Sequence, residues 1–257
     1  MTPFELEVEE RIALNAGDEM LKDAARAFMR RSTASKYSYN YFWSGRPIIQ
    51  YPQDIMAVQE IIWRTRPDLV IETGIAHGGS LILSASMLAL LDMAQAIETG
   101  IPFDPAASRR KVVGIDIEIR AHNREAIESH SLAGRIQMIE GSSVAVEVIE
   151  KIRGVARGFA RIMVCLDSNH CHDHVLAELS AYGPMVSVGN YCIVFDTNIE
   201  NMPEEYSVDR PWGKGNNPMT AVREYLSQTD RFVVDKSIED KLLITASPEG
   251  YLKRVRL

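Results

Sequence analysis

The residues Asp167-Ser168-Asn169-His170-Cys171-His172-Asp173-His174 are dense in groups that titrate or ligate. Histidine changes charge near neutrality, so one of these rings can take a proton from a substrate. His170, three residues beyond Asp167, is the candidate general base, and His172 and His174 read as helix-start residues. Three histidines at alternating positions do not converge on a tetrahedral zinc. An iron oxygenase would need two histidines and a carboxylate as a facial set, which only His170, His172 or His174 could supply. An oxygen-ligated magnesium fits better, with Asp167 as one ligand and Asp196 as another. Magnesium beside a hydroxyl would orient it and lower its pKa.

A second concentration of chemistry is Glu72-Thr73-Gly74-Ile75-Ala76-His77-Gly78-Gly79-Ser80. Glycines allow a sharp turn and close approach to a ligand, and the amides that open the following helix have no intrahelical partners. A tight strand–helix junction needs no ligand, so the loop alone is weak evidence. Asp116, Glu140 with Ser142, and Asp167 each follow a short apolar run, and together they describe a crevice at the carboxyl ends of parallel strands. Asp116 stands where a ribose-binding carboxylate is expected; its plainer role is a solvated loop residue. The loop lacks the lysine followed by Ser or Thr that a phosphate-binding loop requires. It also departs from the compact glycine fingerprint of nicotinamide enzymes, which leaves an NAD-dependent oxidoreductase as an alternative.

The elements that must position these groups alternate along the chain. Apolar runs at 69–71, 111–115, 135–139, 162–166 and 185–195 predict strands, and the stretches 80–94, 121–130, 144–152 and 172–182 predict helices between them. One or two helices are expected over 4–31 and another over 54–65. The tract 32–51 is rich in aromatic residues and lacks helical periodicity; it reads as a packed loop or as a pocket wall. After a polar insertion at 198–217, a helix is expected at 218–226, then paired strands at 232–235 and 241–245, with 253–257 as a charged surface tail. The pattern predicts an α/β fold with a mostly parallel sheet covered on both faces.

The 257 residues suit one α/β domain, and the composition, 46% hydrophobic and 25% charged, is that of a globular protein. A net charge of −7 without a basic block argues against nucleic acid as a partner. The three cysteines, Cys165, Cys171 and Cys192, match no disulfide or zinc framework, and a cytoplasmic setting is expected. The start of the chain is acidic and polar, unlike a signal peptide, and the apolar stretch 81–91 is too short and interrupted to span a bilayer, so no membrane partner is expected.

At this point the chain resembles the cephalosporin hydroxylase family, a group similar to class I S-adenosylmethionine-dependent methyltransferases. The resemblance is carried by Phe42-Trp43-Ser44-Gly45, Ile71 through the glycine loop to Ser80, Val113-Gly114-Ile115-Asp116, Glu140-Gly141-Ser142-Ser143, Leu166-Asp167-Ser168-Asn169-His170 and 182–197. It implies a Rossmann-like fold: a mostly parallel seven-stranded sheet with an antiparallel C-terminal strand, plus N-terminal helices, in a single domain over 1–257 with a helical and aromatic cap at about 1–51. It implies S-adenosylmethionine as cofactor. Glu72, Gly74 and Gly78 would surround its methionine part, Asp116 its ribose and Ser142 its adenine. His77, Ser80 and Asp167 complete the expected cofactor set.

The family also resembles the magnesium-dependent macrolide sugar O-methyltransferases. From them Asp167 is carried over as metal ligand and His170 as base, making His170 and Asp167 the expected catalytic pair. Those relatives have Glu then Asp at the end of the fifth strand, where this chain has Phe195 and Asp196, so one expected ligand is missing. The implied activity is methyl transfer to a hydroxyl of a small molecule, a natural product or a sugar, by a homo-oligomer. A non-catalytic ligand-binding or assembly protein of the same fold is the other alternative, with Phe195 its support.

Overall fold

A computed structural model describes residues 1–257, the side chain of Ala106 excepted. Two N-terminal helices, α1 (Pro3–Gly17) and α2 (Glu19–Ala34), lead into a 3-10 turn at Tyr37–Asn40 and a short hairpin, β1 (Tyr41–Trp43) and β2 (Arg46–Ile48). The aromatic tract is therefore a built element. Tyr37 packs edge-on against Phe28 and Tyr41, while Phe42 stays exposed. Helix α3 (Pro52–Thr65) follows, with proline at its first turn where a missing N–H costs nothing.

The alternating region is β3 (Leu69–Thr73), α4 (Gly79–Thr99), β4 (Lys111–Asp116), α5 (Ala121–Glu128), β5 (Ile136–Glu140), α6 (Val146–Ala156), β6 (Ile162–Leu166), α7 (His172–Tyr182) and β7 (Tyr191–Val194). The chain ends with α8 (Pro218–Gln228), β8 (Phe232–Val234), α9 (Lys236–Leu242) and β9 (Tyr251–Arg254). The seven-stranded sheet has the order β5-β4-β3-β6-β7-β9-β8, and β9 alone runs antiparallel to its neighbours. This is the α/β, Rossmann-like architecture expected.

Side-chain alternation explains the two-faced core. In β3, Val70 joins the cluster beneath α3 and α4, whereas Leu69 and Ile71 join the cluster beneath α6, α7 and α8. In β6, Met163 and Cys165 face the first cluster and Ile162, Val164 and Leu166 the second. Helix α4 extends to Thr99, beyond the expected end, and is long and apolar enough by composition to cross a membrane. Here its residues Leu81, Leu83, Leu88 and Leu91 are buried in the first cluster, as in a core helix.

Three local expectations are corrected. The stretch 241–245 is the end of α9 and a turn through Leu243, at φ 59°, rather than a strand. The strand expected over 185–195 is confined to four residues, because Gly183–Met185 forms a 3-10 turn and Gly189 takes φ 86°. The strand pairing with β8 comes instead from 251–254, so the charged tail is partly inside the sheet. Arg254 is buried, its guanidinium donating to the carbonyls of Pro184 and Val186.

Candidate functional site

The strand order reverses between β3 and β6, and the crevice beyond their carboxyl ends is where this architecture places ligands. Gly74 follows β3 at φ 89°, and its amide donates to the carbonyl of Ile115 at 2.8 Å. A Cβ on Gly74 would lie 2.0 Å from the carbonyl oxygen of Asp167, so only glycine lets the ends of β3 and β6 approach this closely. Gly78 opens α4 in the left-handed region, leaving the first amides of that helix free of intrahelical partners.

The loop is braced from outside. Arg46 donates to the carbonyl of His77, and Asn123 donates to the carbonyl of Ala76 at 2.9 Å. With those carbonyls held outward, Asp116 accepts from the amides of Ile75 and Ala76 at 2.8 and 3.2 Å. Glu72 is buried and takes its hydrogen bond from the Ser80 hydroxyl; burial pushes its carboxyl up to about 7. Ser142 follows β5, next to buried Ser143. Gly74, His77, Gly78 and Ser80 line one small cavity with Asp167; Glu72 and Asp116 are hydrogen-bonded to the same loop, and Ser142 lies past the end of β5, which pairs with β4 through Asp116 and Glu140.

Asp167, His170 and Asp196 converge: one ligand atom from each lies within 4.8 Å of the others. His170 Nε2 is 3.3 Å from Asp196 Oδ2, and its ring meets Trp212 edge-on at 4.9 Å between centroids. Burial, and then the charges of Asp196, Glu72, Glu178 and Asp54, push the Asp167 carboxyl well above the carboxylate range. Such a concentration of acceptors is chemically suited to a hard cation with oxygen and imidazole ligands. Phe195 is buried in the first core cluster and contributes nothing to this set.

The turn carrying Asp196, itself at φ 56°, is anchored from below. Buried Asp54 accepts from Thr245, from the Ala246 amide at 2.8 Å and from the Tyr251 hydroxyl at 2.6 Å, and Ala246 in turn accepts from the Asn198 amide at 3.2 Å. The polar insertion is held by Glu200 and Asn217, which bond each other and the backbone of 213–215. That brings Trp212 over the site.

His172 and His174 do not join His170. His172 pairs with Thr220 and Glu224 on α8; His174 lies 3.0 Å from Ser143 Oγ and 3.5 Å from buried Glu178. No two-histidine facial set is assembled among the described residues.

The cluster opens on a cleft of about 420 Å³ whose walls include Tyr39, Tyr51, His170, Ile199, Arg210 and Trp212. Both readings of the aromatic tract therefore apply, since it packs on itself and walls this cleft. A small cavity under the glycine loop shares Ile49, Gln50, Ala76 and Asp167 with the cleft. A larger depression, about 1040 Å³, lies at the amino ends of β3 and β4 around Asp68 and Lys111, away from every residue of the cluster.

Sequence reasoning missed Arg46, Asn123, Asp54 and Trp212, because each acts through a partner distant in the chain, and Gln50, because only the fold sets it against two cavities. Only Trp212 carried a local signal, as the one tryptophan in a polar insertion.

The rhamnosyl O-methyltransferase of Mycobacterium bovis BCG is 28% identical over 244 residues, covering 90% of this chain and 89% of that protein. A structure of CmcI with Mg and SAM superposes at a TM-score of 0.56 with 19% identity, covering 85% of this chain and 78% of the other. MycE, a methyltransferase from the mycinamycin biosynthetic pathway solved with Mg, SAH and mycinamycin VI, gives 0.50 with 17% identity, covering 89% of this chain and 54% of its own. These two likenesses are of fold. Residues 35–255, from the end of α2 through the glycine loop and the Asp196 turn to β9, match one family, and the chain belongs to that family, Rhamnosyl O-methyltransferase/CmcI.

Proposed function

We propose that this protein transfers the methyl group of S-adenosylmethionine to a hydroxyl oxygen of a small molecule, with a sugar hydroxyl as the first class to test. The observation that carries the reading is the Asp167–His170–Asp196 cluster, set beside the glycine loop and opening on the 420 Å³ cleft. The curated relatives at 28% identity are rhamnosyl O-methyltransferases, which supports oxygen as the atom methylated and a sugar as its carrier. Family membership and the departure of the loop from the nicotinamide fingerprint favour methyl transfer over hydride transfer.

When bound, the cofactor would supply a methyl group on a positively charged sulfur. Glu72, Gly74, His77, Gly78, Ser80, Asp116, Ser142 and Asp167 form its site, with Asp116 and the loop amides fixing the loop's shape. His170 takes the hydroxyl proton as the oxygen–methyl bond forms and the sulfur–methyl bond breaks. Trp212 holds the imidazole edge-on and excludes water from one side. A magnesium ion at Asp167 and Asp196 would lower the hydroxyl pKa and fix the oxygen; with Phe195 unable to ligate, water or the acceptor would complete its shell. The contact between His170 and Asp196 also lets Asp196 orient the imidazole.

The same reading takes 1–257 as one functional domain with 1–51 as its cap. A cytoplasmic setting accords with three free cysteines. Assembly as a homo-oligomer accords with α1, which buries no residue within the chain and exposes Phe4 and Leu14.

The test is incubation with S-adenosylmethionine and a panel of rhamnosides and other glycosides, followed by mass spectrometry. A methyl ether formed in equal amount to S-adenosylhomocysteine is the expected result. Folded protein that binds neither S-adenosylmethionine nor S-adenosylhomocysteine refutes the reading.

A further inference from the structure

Gln50 follows β2 and sits at the seam between the glycine-loop cavity and the acceptor cleft, lining both. It is 7% exposed, and its Oε1 has no hydrogen-bond partner among the described residues. A buried amide oxygen left without a donor is disfavoured, and native structures rarely keep one without a reason. No side chain or amide among the described residues donates to it. The polar side chains lining the glycine-loop cavity are Gln50, His77, Ser80 and Asp167, with no lysine or arginine. Behind Ser80 stands Glu72, another acceptor with a single hydroxyl donor. A small cavity that holds an unpartnered amide oxygen and a carboxyl, and neither lysine nor arginine, suits a ligand that brings several N–H donors and positive charge, which is the chemistry of a primary ammonium.

We infer that Gln50 is a cofactor-binding residue whose side-chain oxygen accepts a hydrogen bond from the α-ammonium of the cofactor's amino-acid end. This rests on the reading of the site as one for S-adenosylmethionine. Since the same side chain borders the cleft, seating the amino-acid end fixes one wall of the acceptor site. Asp167 is the other polar side chain shared by the two cavities.

The experiment is calorimetric binding of S-adenosylhomocysteine and of 5′-methylthioadenosine, which lacks the amino-acid end, to the full chain. It compares wild type, Gln50→Leu and Gln50→Glu. Gln50→Leu keeps the volume and removes the polar atoms, so affinity for S-adenosylhomocysteine should fall about tenfold or more while 5′-methylthioadenosine binds within about twofold of wild type. Gln50→Glu keeps an acceptor and adds charge favourable to an ammonium, so S-adenosylhomocysteine binding is retained or tightened. The ligand-free Tm of Gln50→Leu should be unchanged or higher, because an orphaned polar group has been removed. Equal losses for both ligands in Gln50→Leu, no loss for either, or a Gln50→Glu variant as weak as Gln50→Leu overturns the assignment. If Gln50→Leu does not fold, Gln50→Glu decides alone: a tenfold loss of S-adenosylhomocysteine affinity overturns it and retention supports it. Wild-type protein that binds neither compound overturns the methyltransferase reading itself, a result separate from any effect of Gln50.

Discussion

Arg46 reaches from the cap hairpin to the main chain of the glycine loop, its Nε and Nη2 donating to the carbonyl of His77 at 3.0 and 2.7 Å. The same Nη2 donates to Asn123 Oδ1 at 3.1 Å, so one guanidinium ties the hairpin, the loop and α5 together. Replacing Arg46 with Ala should cost about 1–3 kcal/mol of stability, since bonds from a charged donor to a half-buried carbonyl are lost. Because the loop is what those bonds brace, S-adenosylhomocysteine affinity should fall along with the urea midpoint. Unchanged affinity in a destabilised variant would show that the loop holds its shape without the hairpin.

His170→Ala should slow methyl transfer by about 10²–10⁴-fold if the imidazole takes the proton. Cofactor affinity should survive, because His170 contacts Asp196 and Trp212 rather than the loop. Single-turnover rates over a pH series provide the check, and a mutant as fast as wild type would remove His170 from this role.

Asp167→Asn and Asp196→Asn should each raise the magnesium concentration needed for half-maximal activity by at least about tenfold, since even outer partners of metal ligands carry that much affinity. Magnesium calorimetry on the same variants gives a readout independent of turnover. Full wild-type activity after verified metal removal would leave Asp196 as an orienting partner of His170 and exclude the cation.

Glu72 gives a pH signature of stability. Burial raises its folded-state carboxyl from 4.5 to about 7, so the folded protein holds a proton that the unfolded chain releases. Stability from this group is therefore greatest below about 4.5 and is lost as pH rises to about 7. Asp54, raised to about 6 by burial, acts in the same sense over the lower part of that window. Glu72→Gln should flatten the fall of Tm with pH, and a variant with the wild-type slope would show that Glu72 is ionised in the fold.

Gly74→Ala should damage both stability and binding. The added carbon would meet the Asp167 carbonyl at 2.0 Å, at a φ of 89° that alanine disfavours. A loss of about 2–4 kcal/mol in urea unfolding is expected, together with loss of S-adenosylhomocysteine binding. A variant with wild-type stability would mean that β3 and β6 separate freely at their ends.

What the sequence determined by itself is local or periodic. Runs such as 69–71 and 162–166 declare strands because both faces of a parallel strand are buried, and the glycine loop declares a turn because few other residues accept its dihedral angles. The polar residues at the strand ends, Asp116, Asp167 and Asp196, were legible because the alternation of strand and helix puts all such ends on one side. The last strand was not legible. Residues 253–257 read as a charged tail, and only the sheet's need to pair β7 and β8 through an antiparallel strand drew the first two of them into β9, with Arg254 satisfied by carbonyls some seventy residues away in the chain. The partners of the site were decided by tertiary structure alone. Nothing near His170 in sequence names Trp212, and nothing near Asp196 names Asp54, because side-chain contacts across a sheet follow packing and leave no period in the chain. The three histidines of 170–174 make the same point: His170, in the loop before α7, reaches Asp196, while α7 turns His172 toward Glu224 and His174 toward Glu178.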